Sequence, residues 1–406
     1  MKSYTEKRKY NFDEIVPRRN TNSLKWDAAE DGKVIPMWVA DMDFRTAPAI
    51  TNAIIRRAKH GIYGYSKIPA AYYDAVIGWF ERRHHFMIQK DWILYTTGVV
   101  PAISAVIKAL TVPGDQVIIQ TPVYNCFFSS IRNNLCEIVS NELIYKDKIY
   151  SIDFDDLERK ASSPKAKVLL LCSPHNPVGR VWTKEELTRI GEICLRNQVI
   201  VISDEIHCDL VFSKHKHIPF ASIREDFLQN SVTCTAPSKT FNLAGLQCAN
   251  IIAADEIIRQ KINKALNVNE TCEINIFAVE SLIAAYNKGE EWLNELNQYL
   301  YDNYIYLLTF IRHYIPSISV IPLEATYLAW LDISATGLSS RVFAKTLLEE
   351  KKLWINEGTL YGANGENFIR MNFACPRQLL MEGLTILNVV LNNETATSRK
   401  RNLNEF

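Results

Sequence analysis

No apolar run in the 406-residue sequence approaches the roughly 20 residues needed to cross a bilayer. The opening segment, MKSYTEKRKYNFDE, is charged throughout and lacks the apolar stretch of a secretory signal. A charge imbalance is also missing. The 46 Lys and Arg stand against 45 Asp and Glu, leaving a net charge of +1. No overall field therefore favours a nucleic acid or an anionic membrane as partner. The nine cysteines form no CxxC pair, are odd in number and mostly sit in apolar runs. A chain this long needs no disulfide staples, so buried free thiols in a reducing cytoplasm are expected, with no metal site. Internal repeats and low-complexity segments are absent as well.

What is there is a large apolar complement, 48% of residues, which is more than one small core uses. Residues 1–45 read as an irregular arm. Its Trp26, Met37, Trp38 and Phe44 have little reason to stand in water, so the arm should pack on a smaller domain. Residues 46–285 read as the large domain, 286–392 as the small one and 393–406 as a polar tail without order. Strands are predicted at Val117–Gln120, Val168–Cys172, Val199–Ser203, Val232–Thr235 and Ala249–Ala253. These runs are nearly continuous in apolar residues, as in a parallel sheet covered on both faces. Thr183 with Glu186 three residues on marks a helix start for Thr183–Asn197. The pattern is α/β. Leu282–Ile315 reads as one long helix or two. A strand at Tyr327–Leu331 and helices near 340–350 and 377–391 complete an α+β small domain.

Open α/β sheets bind ligands beyond the carboxyl ends of their strands, and polar residues follow each apolar run here. After VLLLC comes SPHNPVG, where Asn176 either presents its amide at the sheet edge or simply builds the turn. After VIVIS come Asp204, Glu205, Ile206 and His207. An acid ending a buried strand needs a cation or donor: a protonated pyridine nitrogen, or a structural salt bridge. After VTCTA come Pro237, Ser238 and Lys239. A lysine there is either a desolvated amine suited to Schiff-base chemistry or a surface charge. Gly98, Val99 and Val100 open a helical run whose free N–H groups could cradle a phosphate. Tyr124 could stack on a planar ring or pack conventionally. Arg370, in FIRMNF, could grip a carboxylate or close an internal salt bridge.

Taken together, Asn176, Asp204, Lys239 and Arg370 in that order resemble the aspartate-aminotransferase superfamily, pyridoxal-phosphate (PLP) fold type I, from about residue 11 to 391. The segments RRNTNSLKWD, WVADMDF, DEIH and APSKTFNLAGL resemble one branch, the MalY/PatB family of cystathionine β-lyases, or cysteine-S-conjugate β-lyases. The resemblance implies pyridoxal 5'-phosphate as cofactor. Lys239 then corresponds to the Schiff-base lysine that also moves protons at the substrate Cα, and Asp204 to the acid paired with the pyridinium nitrogen. Asn176 corresponds to the donor to the ring 3-oxygen, and His207 takes the place of a tyrosine at that oxygen. Tyr124 corresponds to the stacking aromatic, and Gly98, Val99 and Val100 to the phosphate cradle. Arg370 corresponds to the clamp on the α-carboxylate of a small amino-acid substrate. Tyr65 resembles a tyrosine that reaches the phosphate of a neighbouring subunit, which implies a homodimer.

Two positions depart from the wider superfamily. Ala236 and Gln247 stand where a serine and an arginine often hold the phosphate, which shifts that work to backbone groups, Tyr65 and Ser238. The implied reaction is β-elimination from L-cystathionine, L-cysteine or related S-conjugates to pyruvate, ammonia and a thiol. An aminotransferase, or a PLP-fold protein with a regulatory role, shares most of these residues. Tyr327 and the arm near Asp41 are expected to shape the pocket.

Overall fold

The computed structural model describes residues 8–268 and 273–402, with side chains to residue 391. Seven strands form the larger sheet: β1 (Ile93–Thr96), β2 (Gln116–Ile119), β3 (Glu137–Ser140), β4 (Ala166–Cys172), β5 (Ile200–Asp204), β6 (Ser231–Thr235) and β7 (Ala249–Ile252). Their spatial order is β1-β7-β6-β5-β4-β2-β3. Strands β3, β2, β4, β5 and β6 pair in parallel, whereas β7 runs antiparallel to both of its neighbours.

The sheet is covered on both faces, as its continuous apolar runs predict. Val168 and Leu170 of β4 share one buried cluster with Ile103, Val106 and Ile107 of α1 (Val99–Leu110). Leu169 and Leu171 point the other way, into a cluster with Leu187, Ile190 and Cys194 of α2 (Lys184–Arg196). The one-residue alternation follows from the two-residue period of a strand. Each fully buried Leu or Ile contributes about 1.5–3 kcal/mol relative to exposure. The α2 start is the expected capping box. Glu186 N donates to Thr183 Oγ1 at 3.2 Å, and Thr183 N donates to Glu186 Oε2 at 2.8 Å.

The segment read as one helix or two is two: α3 (Ile276–Lys288) and α4 (Glu290–Tyr314). Gly289 separates them, and a Cβ there would lie 2.5 Å from both the Ala285 carbonyl and the Phe241 ring. The smaller sheet contains β8 (Ser319–Val320), β9 (Leu328–Asp332), β10 (Asn356–Glu357) and β11 (Phe368–Asn372), in the order β8-β9-β11-β10. Helices α5 (Ser340–Lys351) and α6 (Arg377–Asn402) flank it. Helix α6 continues to Asn402, into the tail expected to lack order. Residues 1–7, 269–272 with Cys272, and 403–406 lie outside the described residues. The other eight cysteines are free thiols, seven of them buried.

Met37 and Phe44 of the arm are buried as expected, whereas Trp26 and Trp38 are half-buried. Phe12, Met37, Met42 and Phe44 are buried, and Ile35–Pro36 pairs in parallel with Leu353–Trp354 beside the smaller sheet. Among the described residues no helix is long and apolar enough to cross a membrane.

Candidate functional site

The carboxyl ends of β1, β4, β5 and β6 open onto a cavity of about 180 Å³. Gly98, Val99, Val100, Tyr124, Asn176, Asp204, His207, Ser238 and Lys239 all line it. The strands deliver these residues together because β4 and β5 are paired in register, with Cys172 opposite Asp204. Arg370 stands just behind this wall. Tyr65 does not line the cavity and is 96% exposed.

Asp204 is buried at the end of β5, and Ile206 N donates to its Oδ1 at 3.1 Å. Among the described residues it forms no salt bridge. Burial raises its carboxyl pKa to about 7, because a charge without a close counter-ion is costly in a desolvated site. Lys239 leaves β6 on the short helix Pro237–Thr240. Burial, helped by the positive charge of Arg370, lowers its amine to about 8. Its Nζ donates to the Ala40 carbonyl at 2.7 Å.

Arg370 sits in the middle of β11, opposite Trp330 on one side and Asn356 on the other. Its Nη1 donates to Asn176 Oδ1 at 3.2 Å and its Nη2 to the Trp38 carbonyl at 2.9 Å. The guanidinium lies 4.9 Å from the Tyr361 ring centroid. Its Nε is buried without a partner among the described residues, so one edge of the fork is unspent. An internal salt bridge, the alternative reading of Arg370, is absent among the described residues.

His207 is buried, and its Nδ1 has no partner among the described residues. Burial, together with the charges of Lys239 and Arg370, lowers its pKa to about 3, so the ring is neutral. His175, inside the SPHNP turn, donates from Nε2 to the Pro122 carbonyl at 2.8 Å. That bond ties the Asn176 loop to the Tyr124 loop. Helix α1 starts at Val99 with no side-chain cap from Gly98. Pro101 carries no N–H, so the first-turn donors left for an anion are those of Val99 and Val100.

These residues fit PLP. The Asp204 carboxyl, without a salt-bridge partner among the described residues, suits a ring cation, the uncapped start of α1 suits a phosphate, and Lys239 is an amine whose pKa is lowered to about 8. Gln247, which replaces the arginine common elsewhere, also lines the cavity. Sequence reasoning missed the Ala40 carbonyl, Thr97, Cys172 and Cys248 at this wall. A backbone carbonyl carries no residue-type signal, and the two cysteines read only as core thiols.

Comparisons with known proteins agree with this geometry. Residues 33–387 match the family described as aminotransferase class I and II. Cystathionine beta-lyase PatB of Bacillus subtilis is 44% identical over 94% of this chain and 100% of its own length. Protein MalY of Escherichia coli is 33% identical, covering 94% of this chain and 99% of that protein. Among solved structures, cystalysin from Treponema denticola, which contains a pyridoxal 5'-phosphate cofactor, superposes with a TM-score of 0.92 at 35% identity. That match covers 95% of this chain and 99% of cystalysin. The chain therefore belongs to the aminotransferase class I and II family and has its PLP fold type I, within the branch that holds PatB and MalY.

Proposed function

We propose that this protein is a PLP-dependent carbon–sulfur β-lyase acting on L-cystathionine and other L-cysteine S-conjugates, releasing pyruvate, ammonia and a thiol. One observation carries the reading. A half-buried lysine whose amine pKa is lowered, Lys239, shares a cavity with a buried carboxyl that has no salt-bridge partner among the described residues, Asp204. The identity to a cystathionine β-lyase over nearly the whole chain supplies the reaction class.

Bound PLP would supply an electron sink for the pair left when the substrate Cα loses its proton. The N–H groups of Val99 and Val100, with Ser238, would hold its phosphate. Tyr124 would cover the ring face. Asp204, ionised beside a protonated ring nitrogen, would keep the proton there. Asn176 and neutral His207 would stand at the ring oxygen. Arg370 would take the substrate carboxylate on its fork. Lys239 as a free amine would accept the Cα proton and afterwards return it to the departing sulfur.

We assign Tyr65 to the phosphate of a second copy's site, because its ring stands in solvent and away from its own cavity. A homodimer is then required for full cofactor binding. An active enzyme that sediments as a monomer would overturn this assignment.

The test is pyruvate release from L-cystathionine with no keto acid added. Transamination consumes a keto acid, so pyruvate and free thiol in its absence identify elimination. Lys239→Ala is expected to abolish release and to remove the visible absorbance of the lysine-bound cofactor. Normal turnover by Lys239→Ala would overturn the assignment.

A further inference from the structure

Two donors from distant parts of the chain meet on one backbone oxygen. The Ala40 carbonyl accepts from Lys239 Nζ at 2.7 Å and from the Tyr327 hydroxyl at 2.9 Å. Tyr327 is fully buried, and its ring stands edge-on to His207 with centroids 6.0 Å apart. The backbone that delivers it is unusual. Thr326 has φ 74°, a left-handed value that a β-branched residue rarely adopts. Thr326 N donates to the Leu210 carbonyl at 2.7 Å, and Phe373 N donates to the Tyr327 carbonyl at 3.1 Å. The carbonyl is held as firmly as its donor. Asn372 Nδ2 donates to the carbonyls on either side of Ala40, those of Val39 and Asp41, at 2.6 Å each.

A carbonyl oxygen has two lone pairs, and here Tyr327 takes one and the lysine amine the other. We propose that the Ala40 carbonyl is the seat of the Lys239 side chain whenever its amine is free of the cofactor, and that Tyr327 is the positioning residue that fixes and weakens this seat. The proposal rests on the reading of Lys239 as the group that moves the Cα proton. In that reading the neutral amine takes the proton and becomes ammonium, while the electron pair stays with the substrate. The Cβ–S bond then breaks, the thiolate leaves with its pair, and the ammonium returns the proton to sulfur, giving a thiol and a neutral amine. The seat must therefore hold both forms without trapping the ammonium. A carbonyl already engaged by a phenol is a poorer acceptor for a second, cationic donor, since the two donors carry like partial charges.

Burial keeps the Tyr327 phenol well above its ordinary pKa, so it remains a donor across the working range. The charged and titratable groups around the amine are Arg370, Asp41, Asp204, Cys126 and His207. Tyr327→Phe changes none of them and keeps the ring against His207.

In the apoenzyme, Lys239 is to be labelled with a water-soluble acylating reagent over a pH series and read by peptide mass spectrometry. Tyr327→Phe is expected to raise the labelling midpoint by about half a pH unit or more, since the freed carbonyl holds the ammonium more strongly. In the holoenzyme the acid limb of kcat moves up with it, and the Cα-deuterium isotope effect on kcat grows. KM for L-cystathionine stays within about twofold of wild type, because the ring is kept and the lost hydroxyl is committed to the Ala40 carbonyl. A midpoint that falls or stays put overturns the proposal. Should Tyr327→Phe fail to fold, 3-fluorotyrosine placed at position 327 is a stronger donor of nearly the same shape. It is expected to lower the midpoint, and no movement there overturns the proposal equally. Turnover by Lys239→Ala would instead remove the reading beneath it, a different and separable result.

Discussion

Arg370 donates through Nη1 to Asn176 Oδ1 at 3.2 Å, a bond between residues 194 apart that joins the smaller sheet to the loop after β4. With its oxygen occupied in this way, Asn176 has only its NH2 left to turn toward the cavity. The residue assigned to the substrate carboxylate thus orients the residue assigned to the cofactor oxygen.

Arg370→Lys tests this coupling. Lysine keeps the charge but loses the fork. We expect kcat/KM for L-cystathionine to fall at least about tenfold, chiefly through KM. Affinity for PLP should fall as well, because Asn176 loses the partner that orients it. Cofactor titration alongside steady-state kinetics reads both effects. Unchanged cofactor affinity would show that Asn176 is set without Arg370.

Asp204 makes a prediction about the apoenzyme. Its pKa in the folded chain is raised to about 7 by burial. A raised carboxyl pKa means that stability is present at low pH, where folded and unfolded chains are both protonated. It is lost as pH rises through the folded value. The loss is of order 4 kcal/mol, spread between about pH 4 and pH 7. Apo Asp204→Asn should lack this decline and be the more stable protein above neutrality, while its holoenzyme turns over poorly. Chemical unfolding of both apoenzymes across that range decides it. Parallel pH profiles would exclude Asp204 as the source.

Much of this site was legible because it lies where apolar runs stop. Cys172, Asp204 and Thr235 end strands whose composition marks them as doubly covered. The residues that follow had to face the same edge. Small errors came from pairing: β5 ends on Asp204 rather than Ser203, because the ladder continues to the pair Cys172–Asp204. The arm was legible as something that packs and, near Asp41, as part of the pocket, but not as the source of a backbone acceptor. Its role at the cavity depends on the Ala40 carbonyl, 199 residues from Lys239, and no side-chain pattern encodes a backbone acceptor. Tyr327 was read as a pocket-shaping residue; it does not line the cavity, and its bond to the same oxygen as Lys239 had no sequence signal.

The arm also holds a buried charge cluster that supplies the last prediction. Lys25 Nζ lies 2.7 Å from Asp43 Oδ2, with side chains 1% and 5% exposed. Arg18 Nη1 and Trp26 Nε1 both donate to Asp43 Oδ1 at 2.7 Å. Burial opposes ionisation of Asp41, but Arg18 and Lys25 outweigh it and hold its carboxyl below the usual range. A carboxyl depressed in this way stabilises the fold above its unfolded pKa, and that contribution is lost as pH falls through the folded one. Lys25→Met leaves Asp43 buried with a partner removed, and we expect a loss of about 3 kcal/mol at neutral pH, measured by urea unfolding. The gap to wild type should narrow below about pH 4, as Asp41 protonates. Replacing both charges, with Lys25→Met and Asp43→Leu together, should recover much of the loss, since no uncompensated buried charge remains. A single Lys25→Met variant as stable as wild type would mean that Arg18 and Trp26 alone satisfy Asp43. In that case the segment that presents the Ala40 carbonyl to Lys239 is held by its backbone bonds rather than by this ion pair.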